Sequence, residues 1–290
     1  MTAALYGARA GKRVLLLEAE LCGGQILKSE KIENYPALPS VDGYTFAENL
    51  RTQIQTLGVT VESGRVDSVT RDGADFSVTA EGKTYSARTV ILATGQQYRK
   101  LGVEGEADLI GRGVSFCATC DGMFFRGREV AVIGGGNTAV QDALLLSELC
   151  KTVYLIHRRM ELRAEGSLAA RMRAKENVVF MGDTVVTQMC GTGKLESLVL
   201  QNVGTKETHT LAVSGAFVAI GQLPQNGAFA ELVALDPDGY IVADDACATS
   251  CAGVFAAGDG RRKNVRQLTT AVSDGTVAAL SAVAYLDSLK

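Results

Sequence analysis

Two cysteines three positions apart, Cys117 and Cys120, open the stretch of this 290-residue chain where chemistry-capable residues are densest. They stand in the string C-A-T-C-D-G, with Asp121 directly after the second thiol. The short apolar run 130–133 follows, then the turn Gly134-Gly135-Gly136 with Asn137, Thr138 and Ala139 behind it. A second apolar run, 153–156, ends in His157, Arg158 and Arg159, and Arg163 comes shortly after.

Each part has a definite use. Cysteines at C-x-x-C spacing can close a small disulfide, and a nearby positive charge or helix start depresses a thiol pKa. The same spacing suits zinc, so redox and metal chemistry are both open on spacing alone. After a strand, G-x-G-x-x-A lets a dinucleotide pyrophosphate approach backbone N–H groups at a helix N-terminus. Arginines at the end of the next strand suit a 2′-phosphate, because a guanidinium donates two parallel charge-assisted bonds. An acid at that place would mark NAD; Arg158 and Arg159 stand there instead, which points to NADPH. Singly, these features read as a structural thiol pair, a turn and a solvated strand edge. Their order and spacing carry the functional reading.

Taken together, C-A-T-C-D-G, G-G-G-N-T-A and H-R-R-x-x-x-R-A resemble the low-molecular-weight, bacterial-type thioredoxin reductases, and the likeness runs from Met1 to Lys290. The resemblance implies an α/β fold of two Rossmann-like, three-layer dinucleotide-binding domains of the FAD/NAD(P)-linked disulfide reductase type. It implies a discontinuous FAD domain, residues 1–101 and 227–290, and an NADPH domain, 102–226, that carries the redox pair. FAD and NADPH as cofactors, thioredoxin or a thioredoxin-like protein as partner, and a homodimer are implied in the same way. So are the roles at the centre: Cys120 faces the flavin, Cys117 attacks the substrate disulfide, and Asp121 supplies the proton that a leaving thiolate needs.

The remaining elements must position those groups. Residues 1–10 read as a small-residue helix, and residues 14–17 as a buried parallel strand ending in Glu18. In a dinucleotide fold such an acid holds ribose hydroxyls about 20 residues after a glycine fingerprint, yet no fingerprint precedes this helix. Two explanations compete: the natural polypeptide begins upstream of Met1, or the chain is a damaged, non-catalytic remnant. The intact downstream motifs favour the first. By resemblance, Gly23, Gly24, Gln25 and Asn34 line the flavin ring and ribityl chain, and Ala93-Thr94-Gly95 closes over the FAD. Gly258 and Asp259 serve the ribityl hydroxyls; Arg266 and Gln267 serve the flavin's pyrimidine edge.

Periodicity predicts helices over 46–57 and 166–175, a β-meander over 59–87 and strands over 178–203. The chain should cross between domains near 102–113 and again close to Pro224. The family has asparagine–threonine after that proline. This chain has Gln225-Asn226, so contacts there are not carried over.

Composition sets the remaining bounds. Glycine stands at 32, about a tenth of the chain against an ordinary ~7%, which fits tight backbone approaches to cofactors. A net charge of −3, without a basic stripe interleaved with aromatics, argues against a nucleic-acid partner. Seven cysteines in a chain this long do not resemble a secreted disulfide scaffold. Apolar runs fall short of the ~20 residues a membrane span needs, and no signal peptide is evident. A cytoplasmic protein with no membrane partner is expected. Cys22, Cys247 and Cys251 read as incidental, although a zinc module built from Cys117, Cys120, Cys247 and Cys251 is a rival. A flavin-dependent disulfide reductase served by NADH or ferredoxin, or acting on another carrier protein, is a second.

Overall fold

Apolar runs of four or five residues, too short for core helices, form the middle of each half of the molecule. The computed structural model describes residues 1–29 and 31–289, and the chain divides into two units: Tyr98–Gln222, and Met1–Gln97 together with the chain from Leu223 onward.

In the unit Tyr98–Gln222, five parallel strands lie in the order Val178–Met181, Thr152–Ile156, Glu129–Ile133, Gly215–Val218, Val114–Ser115. Successive side chains on a strand point to opposite faces, and here both faces are covered. Val130, Val132, Val153, Leu155 and Phe217 pack with Ala139, Val140, Ala143 and Leu146 of helix Asn137–Ser147 and with Met172 of helix Gly166–Arg173. Their neighbours Ala131, Ile133, Ile156, Ala216 and Val218 meet Val186, Met189, Leu198 and Leu200 of an antiparallel sheet, Thr184–Cys190, Ser197–Asn202 and Thr208–Ala212. Burial on both sides explains why these strands read as unbroken apolar runs. Each large aliphatic side chain buried this way contributes about 1.5–3 kcal/mol.

The other unit repeats the logic with shorter strands. Leu15–Glu18 pairs parallel with Thr60–Ser63, and Val254–Ala256 with Val90–Leu92. Val254 and Ala256 face Val69, Phe76 and Val78 of the meander Val66–Asp72, Asp75–Ala80, Lys83–Ala87. Phe255 and Ala257 face Ala278 and Ala282 of helix Leu268–Ser288. That helix is rich in small residues for a steric reason: a Cβ on Gly275 would lie 2.9 Å from the Thr2 Cβ and 3.1 Å from the Ala3 nitrogen. Helix Thr2–Arg9 therefore packs directly against it.

One expectation needs correction. Thr60–Ser63 is not part of the meander but a parallel partner of Leu15–Glu18. Within the strands expected over 178–203, Val178–Met181 pairs parallel with Thr152–Ile156 and the later ones pair antiparallel. Alternation identifies a strand but not the direction of its partner. The chain passes between the units at Tyr98 and at Leu223, the second beside Pro224, and two buried polar side chains fix the flanking segments. The Glu106 carboxylate, 2% exposed, accepts the Leu101 and Gly102 N–H groups at 2.9 and 2.7 Å, tying them to the unit that starts at Tyr98. The Asn226 amide is bonded to Thr94, Gly239 and Gly260 in the other unit.

Candidate redox centre and cofactor sites

The strand Val114–Ser115 delivers Cys117 to the N-cap of the short helix Ala118–Asp121. One helical turn brings Cys117 and Cys120 to a Cα separation of 5.3 Å, within bridging range, and their sulfurs are bonded. Ala118 anchors the turn among Val140, Ala143 and Leu146. Cys120 is exposed and Cys117 half-buried. Ser115, which no motif marks, organises the centre: its buried Oγ accepts the Cys117 N–H at 3.1 Å and donates to Asp121 Oδ2 at 2.5 Å. A serine two places before a cysteine carries no sequence signal. Its role appears only once the turn folds Asp121 back over the strand end.

The glycine turn in the same unit is built by close contact. Gly134 has φ +154°, and a Cβ there would sit 2.3 Å from the Ala219 carbonyl oxygen and 2.8 Å from the Ala139 Cβ. At Gly135 a Cβ would lie 2.3–2.4 Å from the His157 ring, so the imidazole rests on the turn itself. Gly136 is the N-cap of helix Asn137–Ser147, and no side chain caps it, which leaves its first N–H groups for an anion. Asn137 is paired instead with Glu165, accepting its N–H at 2.8 Å and donating to its carboxylate at 3.1 Å. The Arg163 N–H donates to the Gly135 carbonyl at 2.7 Å, which carries the arginine segment onto the turn. Thr138, Arg158, Arg159 and Arg163 are exposed, whereas Ala139 and His157 are buried. Burial, and then the guanidinium charges of Arg163, Arg158 and Arg159, hold His157 below its ordinary pKa. Its Nε2 is buried without a hydrogen-bond partner. An uncapped helix start, an orphaned imidazole nitrogen and three exposed guanidinium groups fit a phosphorylated dinucleotide.

The flavin candidates all lie in the other unit. Glu18 ends its strand and accepts the Glu20 N–H at 3.1 Å. Gly23 and Gly24 have φ +129° and +59°, a left-handed turn suited to glycine. Gln25 Nε2 donates to the Gln96 carbonyl at 3.3 Å, and Asn34 Nδ2 to Gln267 Oε1 at 3.2 Å. Ala93 is exposed before Thr94, whose Oγ1 donates to Asn226 Oδ1 at 2.6 Å; Gly95 turns the chain at φ +65°. The Gly258 N–H donates to Asp274 Oδ2 at 3.1 Å, and Lys263 Nζ bonds the same oxygen at 2.9 Å. Gln267 forms a capping box with Thr270 at the start of helix Leu268–Ser288. Asp259 Oδ1 is buried without a hydrogen bond, its nearest cation being Lys263 Nζ at 3.9 Å, and burial raises its pKa. Arg266 Nε and Gln96 Nε2 are buried and unpartnered as well. With Arg261 Nε, this unit has one orphaned acceptor and three orphaned donors, which fits a ligand carrying hydroxyls and ring carbonyls, the chemistry of FAD. Asn226, 1% exposed, has its amide taken up by Thr94, Gly239 and Gly260, so it ties loops together rather than facing a ligand.

The other cysteines are free. Cys22 and Cys251 are half-buried, and burial pushes the thiols of Cys22 and Cys247 up. Cys117 and Cys120, bonded to each other, offer no free thiolates to zinc. Among the described residues no group of His, Cys, Asp and Glu is arranged to hold a metal ion, and no helix is long and apolar enough to cross a membrane.

Residues 1–275 match the family model described as pyridine nucleotide-disulphide oxidoreductase. The thioredoxin reductase of Treponema pallidum (strain Nichols) is 41% identical over 291 residues, covering 100% of this chain and 94% of that protein. A bifunctional thioredoxin reductase/thioredoxin of Mycobacterium leprae (strain TN) is 42% identical over 288 residues, covering 98% of this chain and 63% of that protein. The crystal structure of thioredoxin reductase from Streptococcus pyogenes MGAS5005 matches with a TM-score of 0.96 at 40% identity, covering 99% of this chain and 94% of that one. Within the pyridine nucleotide-disulphide class, the chain belongs to the thioredoxin reductases, which are NADPH-dependent, FAD-containing disulfide oxidoreductases.

Proposed function

We infer that the chain passes electrons from NADPH to the disulfide of thioredoxin or a thioredoxin-like protein, with Cys117 and Cys120 as the last station. The observation that carries this is the Cys117–Cys120 bond, held on a short turn of helix packed against Val140, Ala143 and Leu146 and tied through Ser115 to Asp121. The Mycobacterium leprae relative, named as reductase and thioredoxin in one chain, supports the partner's identity. The unit Tyr98–Gln222 takes NADPH, through Gly134, Gly136, Asn137, Thr138, Ala139, His157, Arg158, Arg159 and Arg163. The other takes FAD, through Glu18, Gly23, Gly24, Gln25, Asn34, Ala93, Thr94, Gly95, Gly258, Asp259, Arg266 and Gln267.

Bound FAD supplies the two-electron relay between the nicotinamide and the disulfide. The protein's own part begins when two electrons open the Cys117–Cys120 bond. Cys120 holds the thiolate on the flavin side. Asp121, fixed by the Ser115 hydroxyl, protonates the other leaving sulfur, since breaking a disulfide needs an acid for the thiolate released. Asp121 takes that proton back as Cys117 attacks the partner's disulfide, forming a mixed disulfide, and returns it to the partner thiolate expelled. Attack by Cys120 on Cys117 re-forms the internal bond and releases the second. Neither histidine serves: His157 rests on the nucleotide turn, and His209 lies in the antiparallel sheet.

A cytoplasmic homodimer without nucleic-acid or membrane partners belongs to the same reading, and light scattering on the purified protein tests the assembly. The function is tested by isolating the protein, recording its flavin absorbance and following NADPH oxidation with oxidised thioredoxin. A yellow protein that turns over NADPH faster than NADH supports the reading. A colourless protein without turnover would mean a non-catalytic remnant.

A further inference from the structure

One buried polar side chain is used by no motif. Gln96 is 4% exposed and its Nε2 meets no hydrogen-bond partner. The residue is not loosely held. Its carbonyl accepts from Gln25 at 3.3 Å, and its Oε1 accepts the Tyr240 hydroxyl at 3.1 Å from 144 positions away. Tyr240, 9% exposed, in turn carries the Arg266 guanidinium on its ring face, 4.1 Å from the centroid. Arg266 Nε is likewise a buried donor with no acceptor. A buried donor left unpaired costs about 1–3 kcal/mol. Two of them linked through one tyrosine are therefore a liability in the protein alone and an asset once acceptors arrive. Both donors want acceptors, and the neutral amide beside a guanidinium suits a polarised ring carbonyl.

We propose that Gln96 contacts the flavin, and that Tyr240 is a positioning residue which holds Gln96 and Arg266 as a paired donor set for a carbonyl-bearing edge of its ring system. This rests on the reading that Arg266 and Gln267 serve the flavin. Donors at such an edge stabilise the electron-rich reduced form more than the oxidised one, so the pair raises the flavin's reduction potential. The hydroxyl of Tyr240 orients the Gln96 amide, while its ring fixes the plane of Arg266.

The test is the flavin midpoint potential, by equilibration with reference dyes, of the parent, Gln96→Leu, Tyr240→Phe and Arg266→Gln proteins, with FAD content measured beside it. Gln96→Leu and Tyr240→Phe are expected to move the reduced-to-oxidised ratio at fixed potential about tenfold toward oxidised flavin, about 30 mV for a two-electron couple. If Gln96→Leu does not fold, Tyr240→Phe decides, because it removes one oxygen and leaves the ring under Arg266. An unchanged potential in both, with Arg266→Gln shifted, overturns the proposal and leaves the flavin site standing; water alone then satisfies Gln96. No shift in any of the three variants overturns the flavin site at Arg266 together with the proposal.

Discussion

Alanine at Gly135 is a sharp probe of the nucleotide turn, because it adds one methyl group against one side chain. The new carbon would sit 2.3 Å from His157 Cε1 and 2.4 Å from both ring nitrogens. Ordinary carbon contacts run about 3.5–4.0 Å, so the ring must retreat by at least about 1 Å. It has little room, being 6% exposed. Its backbone is pinned by its N–H to the Met181 carbonyl and by the Thr184 N–H to its own carbonyl, both at 3.0 Å. Gly135 lies outside the left-handed region, so the clash acts without added backbone strain. Overpacking of this kind costs about 1–3 kcal/mol. If about 2 kcal/mol of it falls on nucleotide binding, NADPH affinity drops about 30-fold. Titrating NADPH against flavin or protein fluorescence measures this, with FAD content and Tm as controls. Combining Gly135→Ala with His157→Ala removes the obstruction, so the alanine at 135 should cost far less in that background; the difference is the coupling of the two sites. Unchanged NADPH affinity in Gly135→Ala would mean that the ring does not bear on the nucleotide turn, and an equal loss of FAD that the effect is not confined to it.

Asp121→Asn should slow the dithiol–disulfide steps while leaving NADPH-driven flavin reduction nearly intact in stopped flow; equal loss in both half-reactions would remove the proton-donor role. Arg158→Leu and Arg159→Leu should each raise the KM for NADPH about tenfold, the worth of a charge-assisted bond to phosphate, and leave NADH turnover little changed. A parallel loss with NADH would mean that the arginines do not read the phosphate. Burial raises the Asp142 carboxyl to about 7, from 3.8 in the unfolded chain. Between those values the native state keeps a proton that the unfolded chain has released, so stability falls as pH rises through the window. Asp142→Asn removes this penalty. Its gain over the parent in urea unfolding should be near zero at pH 4 and about 1–3 kcal/mol at pH 8, allowing for partial exposure. An equal gain at both pH values contradicts the burial argument.

What the sequence made legible follows from chain-local physics. Glycine spacing, the arginines at a strand end and the C-x-x-C pair are each complete within one turn or one strand–turn–helix unit, so their chemistry can be read in order. Apolar runs such as 130–133 announce buried strands because both faces must be covered. What stayed hidden depends on contacts between distant positions. Thr94 and Asn226 are 132 residues apart, and Gln96 and Tyr240 are 144 apart. No pattern in either segment marks such a pair. Ser115 was missed for the opposite reason: it is close to Asp121 in sequence, but only the fold of the intervening turn makes the two meet. Strand direction at Thr60–Ser63 escaped because alternation is the same for parallel and antiparallel neighbours.

On the proposed electron route the Cys117–Cys120 bond stands between reduced flavin and the partner's disulfide. Its most direct test is thioredoxin reduction by NADPH in yellow preparations of Cys117→Ser and Cys120→Ser, with flavin reduction followed in parallel. Both variants should lose disulfide reduction almost entirely while the flavin is still bleached by NADPH. Thioredoxin reduced at the parental rate by either variant would contradict it.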